Sequence, residues 1–238
     1  MTETSVYLQP AFILQQQKYQ ETSLIIDVLT RDFGRISLLA KGVRKAKSKT
    51  AGLLQPFMPL RISYFGKAEL KILSHVEAIE LSTQLTGLTI YCGFYINELI
   101  SVFLHKHDPH PEVFDDYRAC LLSLAQSRQI EAALRIFELN LLEYIGYGLP
   151  LEADISTEKP FEAQKKYHFN NDLGFVEADG GHYSGATLLS IRAKEFSHPD
   201  VLSEAKRLMR TVIDLQLQGR KLKSRAVINQ IIKADLHE

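Results

Sequence analysis

The sequence predicts an α+β chain of several domains: a strand-rich N-terminal third, then a helical bundle interrupted by a small inserted β-hairpin element. Three observations carry this. Apolar residues alternate with a period of two in the first 80 residues. From Leu88 they recur at spacings of three and four. Helical periodicity is lost between 151 and 183 and returns behind Ser184.

The first strand is expected over Ala11–Leu14. In Thr22–Thr30, Leu24, Ile26 and Val28 alternate with Ser23, Ile25 and Asp27, which predicts a half-buried strand. Arg35–Ala40, Leu60–Phe65 and Leu70–Ser74 are similar runs, separated by turn residues such as Asp32-Phe33-Gly34 and Gly66-Lys67. Five short strands in about 80 residues suit a small closed barrel of the OB-fold kind, with an open sheet as the plainer alternative.

The first helix carries Leu88, Cys92, Tyr95, Ile96, Leu99 and Phe103, and stops at the proline-broken stretch His105–Pro111. A second begins near Glu112, with Phe114, Tyr117, Leu121 and Leu124 on one side. A third carries Ile130, Leu134, Phe137, Leu141 and Ile145, and ends at Gly146 with Pro150 beyond. Tyr167–Phe169 and Phe175-Val176 around Asn170–Gly174 read as a hairpin. Ser184 is expected to cap a helix bearing Leu188 and Ile191. Asp200 precedes another with Leu202, Leu208 and Val212. Ser224 is expected to cap the last, with Val227, Ile228 and Ile231. The expected domains are therefore 1–80, 81–150, 151–183 and 184–238, the second and fourth together forming the bundle.

Lys and Arg total 28, as do Asp and Glu, so the formal net charge is zero. That argues against a uniformly basic nucleic-acid binder. The zero hides a segregation, however: residues 1–80 sum to +4, 81–160 to −6 and 161–238 to +2. Two cysteines, Cys92 and Cys120, are too few for a disulfide scaffold or a four-thiolate zinc site, and read as buried thiols. The start of the chain lacks a basic segment followed by an apolar core, and no apolar run is long enough to span a bilayer comfortably. A reducing cytoplasm is the expected compartment, with no membrane partner.

Nucleotide-binding, hydrolase and metalloprotease signatures are absent. Carboxylate pairs such as Asp115-Asp116 and Glu152/Asp154 lack any supporting motif, so no catalytic residue and no enzyme activity is expected. His105, His107 and His110 with Asp108 are dense enough for a metal, or are the polar contents of a helix connection. No cofactor is expected. The most concentrated charge is Lys41, Arg44, Lys45, Lys47 and Lys49, five cations in nine residues with no acid between them. Such a loop is solvated or meets phosphates. Arg35, Arg31 and Lys18 would extend it, and Tyr19, Phe33 and Tyr64 are either stacking platforms or core. A second run, Arg220, Lys221, Lys223 and Arg225, lies beside Lys206, Arg207 and Arg210. It reads as a further phosphate-contacting edge or as a complement to a helix dipole.

Short segments then add up in order and spacing: Glu21–Leu24, Gly34-Arg35, Ala40–Gly42, Leu54–Phe57, Tyr95–Leu99, Ala133–Arg135, Phe137–Leu139, Gly146–Gly148, Arg192, Glu195-Phe196 and Leu222–Arg225. Together they resemble the RecO family of bacterial recombination mediators over nearly the whole chain. The resemblance implies an N-terminal OB-fold, a helical bundle with a small β insertion, and binding and annealing of single- and double-stranded DNA. It also implies help in loading RecA onto DNA coated by the single-strand binding protein (SSB), with RecR as partner, the SSB C-terminal tail as recruiter, and a cytoplasmic, nucleoid-associated location. Many members carry zinc-ligating cysteines in the insertion. Residues 151–183 here have none, so the hairpin is expected to rest on apolar packing of Tyr167, Phe169 and Phe175. Arg135 matches the family's tail-binding helix and is the expected cation for the SSB tail. Its alternative is an intrahelical pair with Glu131 or Glu138. The rival reading is a protein-interaction adaptor whose barrel binds protein, with incidental DNA contact.

Overall fold

The computed structural model describes residues 5–46, 48–79, 84–126, 129–171 and 173–235. In chain order these form β1 (Ser5–Tyr19), β2 (Ser23–Thr30), β3 (Gly34–Ala40), β4 (Leu60–Phe65), β5 (Leu70–Ala78), α1 (Leu88–Phe103), α2 (Pro111–Gln126), α3 (Ile130–Tyr144), β6 (Lys166–Asn170), β7 (Gly174–Glu177), β8 (Tyr183–Ser184), α4 (Gly185–Ala193), α5 (Pro199–Gln216) and α6 (Lys223–Asp235). They fall into two compact units, residues 1–127 with 222–238, and residues 128–221. Among the described residues no helix is long and apolar enough to cross a membrane.

In the first unit the five strands close into a barrel in the order β1-β2-β3-β5-β4. Only β3 and β5 pair in parallel, with Ser37 opposite Leu70. The expected five-stranded barrel is therefore present, filled by Ile13, Ile26, Val28, Ile36, Leu38, Leu60 and Ile62. β1 is far longer than the expected four residues. It pairs with both β2 and β4, and register shifts at Val6/Gln9 and Ile13/Gln15 let it bend between them. Pro10 and the run Gln15–Gln17 concealed this length, because both weaken a strand signal.

The outer side of β1 and β2 is also apolar, and it is covered rather than solvated. Phe12 packs on Phe114 and Tyr117 of α2, at ring separations of 5.2 and 5.0 Å. Asn97 of α1 donates to the Leu14 carbonyl (2.9 Å), and Tyr117 donates to the Asn97 side-chain oxygen (2.6 Å). α6 returns to pack along α1. Its start is capped from outside. The Glu98 carboxylate accepts the backbone N–H groups of Lys223 and Ser224, both at 2.9 Å, and the Ser224 hydroxyl as well. Ser224 was expected to be the cap; a carboxylate is the better match for the positive end of a helix.

The second unit holds α3, α4, α5 and a three-stranded sheet of order β7-β6-β8. The expected hairpin is present, and the two-residue β8 adds a third strand too short to leave a period-two signal. Tyr167, Phe175 and Tyr183 are buried, and Phe161 joins them edge-on at 4.9 Å from Tyr167 and 5.7 Å from Phe175. Asp154 organises the loop beneath. One carboxylate oxygen accepts from the Ser156 N–H (2.7 Å), the Ser156 hydroxyl (2.6 Å) and the Thr157 N–H (3.1 Å); the other accepts from the Glu177 N–H (2.6 Å). Burial alone would raise the Asp154 carboxyl, but these bonds outweigh it and hold it below the usual carboxylate range. Ser184 caps α4 as expected, accepting from the Thr187 N–H at 3.1 Å. α5 starts one residue before Asp200, with Pro199 in its first turn behind the His198 cap.

Candidate nucleic-acid interface

The basic loop leaves the barrel at the end of β3. Gly42 sits at φ +70°, which lets the chain turn back over the β1–β2 connection. There the Arg44 N–H donates to the Thr22 carbonyl (2.8 Å) and its guanidinium to the Gln20 carbonyl (3.1 Å). Val43 plugs the barrel end. Small-residue turns complete the loop, with Lys45 N–H on the Gly42 carbonyl and Ser48 N–H on the Lys45 carbonyl.

Lys41, Arg44, Lys45 and Lys49 are exposed, and among the described residues none makes an ion pair. Lys47 lies outside the described residues. Lys18 and Tyr19, at the end of β1, are exposed beside the same turn. Elsewhere the surface cations are mostly committed: Arg31 to Asp115 (3.1 Å), Lys106 to Glu69 (3.0 Å), Lys206 to Glu131 (2.8 Å) and Lys165 to Glu162 and Glu177. Among the described residues no ion pair neutralises these loop cations, so a polyanion can supply their counter-charge.

Three expected contacts are withdrawn from the surface. Arg35 is only 8% exposed; its guanidinium donates to Asp27 (2.8 Å) and to the carbonyls of Ser101 and Leu104. It is a tie between the barrel and α1, because α1 covers the part of the β2–β3 outer face on which it lies. Tyr64 belongs to the barrel core and is 2% exposed, with the Phe33 ring edge-on at 6.3 Å, so it offers no open stacking face. Arg135 is 6% exposed and pairs with Glu138 one turn on, Nε to Oε2 at 2.7 Å. The intrahelical alternative is the one present, and its guanidinium is not open to a tail carboxylate.

The second basic run divides. Arg220 and Lys221 are exposed on the second unit, and Lys223 is exposed on the first. Arg225 lies over the Tyr95 ring, 5.6 Å from its centroid, and reaches the Tyr95 hydroxyl at 3.3 Å. Arg207 lies over the Tyr183 ring and donates to the His182 carbonyl. This run is therefore partly structural, which charge counting alone did not reveal.

His105–His110 form the α1–α2 connection, docked on the start of β3. His107 N–H donates to the Arg35 carbonyl (2.9 Å), and His110 lies 3.1 Å from Asp108. Gly34 is required here: it has φ +65°, and an added Cβ would fall 2.1 Å from the Asp108 carbonyl oxygen. Among the described residues no group of three or more His, Cys, Asp or Glu side chains is placed to hold a metal. Cys92 and Cys120 are both buried.

Residues 1–82 match the family model described as Recombination protein O N terminal, and residues 84–226 match Recombination protein O C terminal. The chain is 43% identical over 224 residues to a DNA repair protein RecO of Methylococcus capsulatus, covering 92% of each chain. It is 40% identical to one of Photobacterium profundum (92% of this chain, 94% of the relative) and 40% identical to one of Coxiella burnetii (94% and 98%). The chain belongs to the Recombination protein O family.

Proposed function

We propose that this protein acts in DNA repair as a non-catalytic mediator, binding single- and double-stranded DNA and annealing complementary strands. The observation that carries the reading is the loop at the β3 end of the barrel, whose Lys41, Arg44, Lys45 and Lys49 have no ion pair among the described residues. Two phosphate backbones repel each other; a cationic edge that neutralises both lowers that repulsion without base-specific contacts. The usual OB binding surface runs over strands 2 and 3 and the adjoining loops. Here Leu29, Asp27 and Arg35 on that surface are buried, so the loops carry the role. Loading of RecA onto SSB-coated DNA together with RecR, with recruitment through the SSB tail, is the physiological setting that family membership supports. Arg135 is not assigned to the tail, because its charge is used within α3.

The test is salt-dependent DNA binding by the full chain with Lys41→Gln, Arg44→Gln and Lys45→Gln combined. If each side chain holds one phosphate, the log K against log salt slope for single strands flattens by about 2, and annealing slows. An unchanged slope, with wild-type annealing, removes the loop from the DNA surface. Tight binding of an SSB tail peptide without any annealing favours the adaptor reading.

A further inference from the structure

The far end of the barrel carries a feature that the basic loop does not explain. β2 separates the β1–β2 turn from the β2–β3 turn, a distance of roughly 25 Å along the strand. Beside the β2–β3 turn is a pocket of about 270 Å³ whose apolar walls are Val6, Phe33, Ile36, Tyr64 and Pro109. One of these aromatic residues is exposed: Phe33 is 41% exposed and meets the Tyr64 ring edge-on at 6.3 Å. Leu8, two residues beyond Val6, lies in the left-handed region at φ +48°, within the bulge of β1. A non-glycine residue held there is costly, and such strain clusters at functional sites.

Polar groups also line the pocket. Tyr64 is 2% exposed, and its hydroxyl is not one of the buried polar atoms left without a partner. Burial pushes its phenol up to about 12, so it remains a neutral donor and acceptor. Asp32 and Lys71 stand with His107 around the same space. Lys71 is held only by the Ala68 carbonyl at 3.4 Å. An apolar side chain from a protein partner would fill the walls but would shut the Tyr64 hydroxyl off from water without giving it a hydrogen bond, which is costly. A nucleobase offers a flat face for Phe33 and an edge with both donors and acceptors for Tyr64 and Asp32. Its phosphate would lie outside, within reach of a cation such as Lys71.

We propose that this pocket takes one base turned out of a single DNA strand, giving the barrel a base-holding point at the end opposite the basic loop. The inference rests on the DNA-binding reading above but concerns a different set of residues. It implies that binding has two separable parts, one that counts phosphates and one that needs a base.

Tyr64→Phe and Phe33→Ala test it, measured on the full chain with oligothymidine and with a fully abasic strand of the same length. Tyr64→Phe is expected to weaken oligothymidine binding about 2- to 10-fold, and Phe33→Ala about 5-fold or more. Both should keep the wild-type salt slope and wild-type binding of the abasic strand. Wild-type oligothymidine affinity in both variants overturns the pocket, as does an equal loss on the abasic strand. If the unaltered protein binds neither strand, the DNA-binding reading itself fails. If it binds both, the loop variant flattens the slope and neither pocket variant weakens oligothymidine binding, that reading stands and only the pocket falls.

Discussion

The barrel and the inserted sheet are both small β structures, and they solve the same stability problem in opposite ways. The barrel closes on itself, so every strand has two neighbours and its aliphatic core is shared among five strands. The inserted sheet stays open, with strands of five, four and two residues. It concentrates its stability in a few aromatic rings and in one carboxylate, Asp154, which ties a loop to the end of β7. Closure spreads the load; an open sheet of this size must localise it.

That contrast can be broken by substitution. The largest effect is expected from Phe175→Ala, which empties the centre of the aromatic cluster and should cost about 3–5 kcal/mol. Hydrogen exchange should accelerate over 154–184 and not in the barrel. Equal acceleration in both would mean that the two regions unfold as one. Asp154→Asn comes next, at about 1–3 kcal/mol, because a charged acceptor of four hydrogen bonds becomes a neutral one. It also carries a pH signature. The folded carboxyl is held below its unfolded value, so its contribution is complete above an unfolded pKa of about 4 and is lost as pH falls through the lower folded value. The wild-type sheet should therefore loosen in acid, and the Asn variant should lack that part of the pH dependence. The smallest effect is expected in the barrel: Ile26→Val should cost about 0.5–1.5 kcal/mol in urea unfolding. A loss as large as that of Phe175→Ala would show that the barrel core is no better distributed than the sheet.

Where periodicity and turn chemistry agree, the architecture could be read from the residues: the five strands, the hairpin and the α3 boundaries. What escaped was tertiary. Arg35 lies in a basic neighbourhood, and nothing local to it announces that Ser101 and Leu104, more than sixty positions away, will claim its guanidinium. The spacing of Arg135 to Glu138 was legible, but the burial of the pair was not. The cap of α6 was assigned to the nearest hydroxyl, while the acceptor came from Glu98 on another helix. The loop of Lys41–Lys49 was visible for the opposite reason: its described cations make no ion pair with a distant acid among the described residues.

The return of α6 to α1 has a consequence in time. Residues 128–221 are nested inside the first unit, so a ribosome must finish them before Glu98 can meet the amides of Lys223 and Ser224. At ~5–20 residues per second, roughly 5–20 s separate the synthesis of α2 from that of α6. Throughout that interval the barrel and its first two helices exist without their closing segment. A nascent chain in this window exposes the apolar side of α1 to chaperones and to other nascent chains, so the yield of folded protein should depend on translation speed across the nested unit.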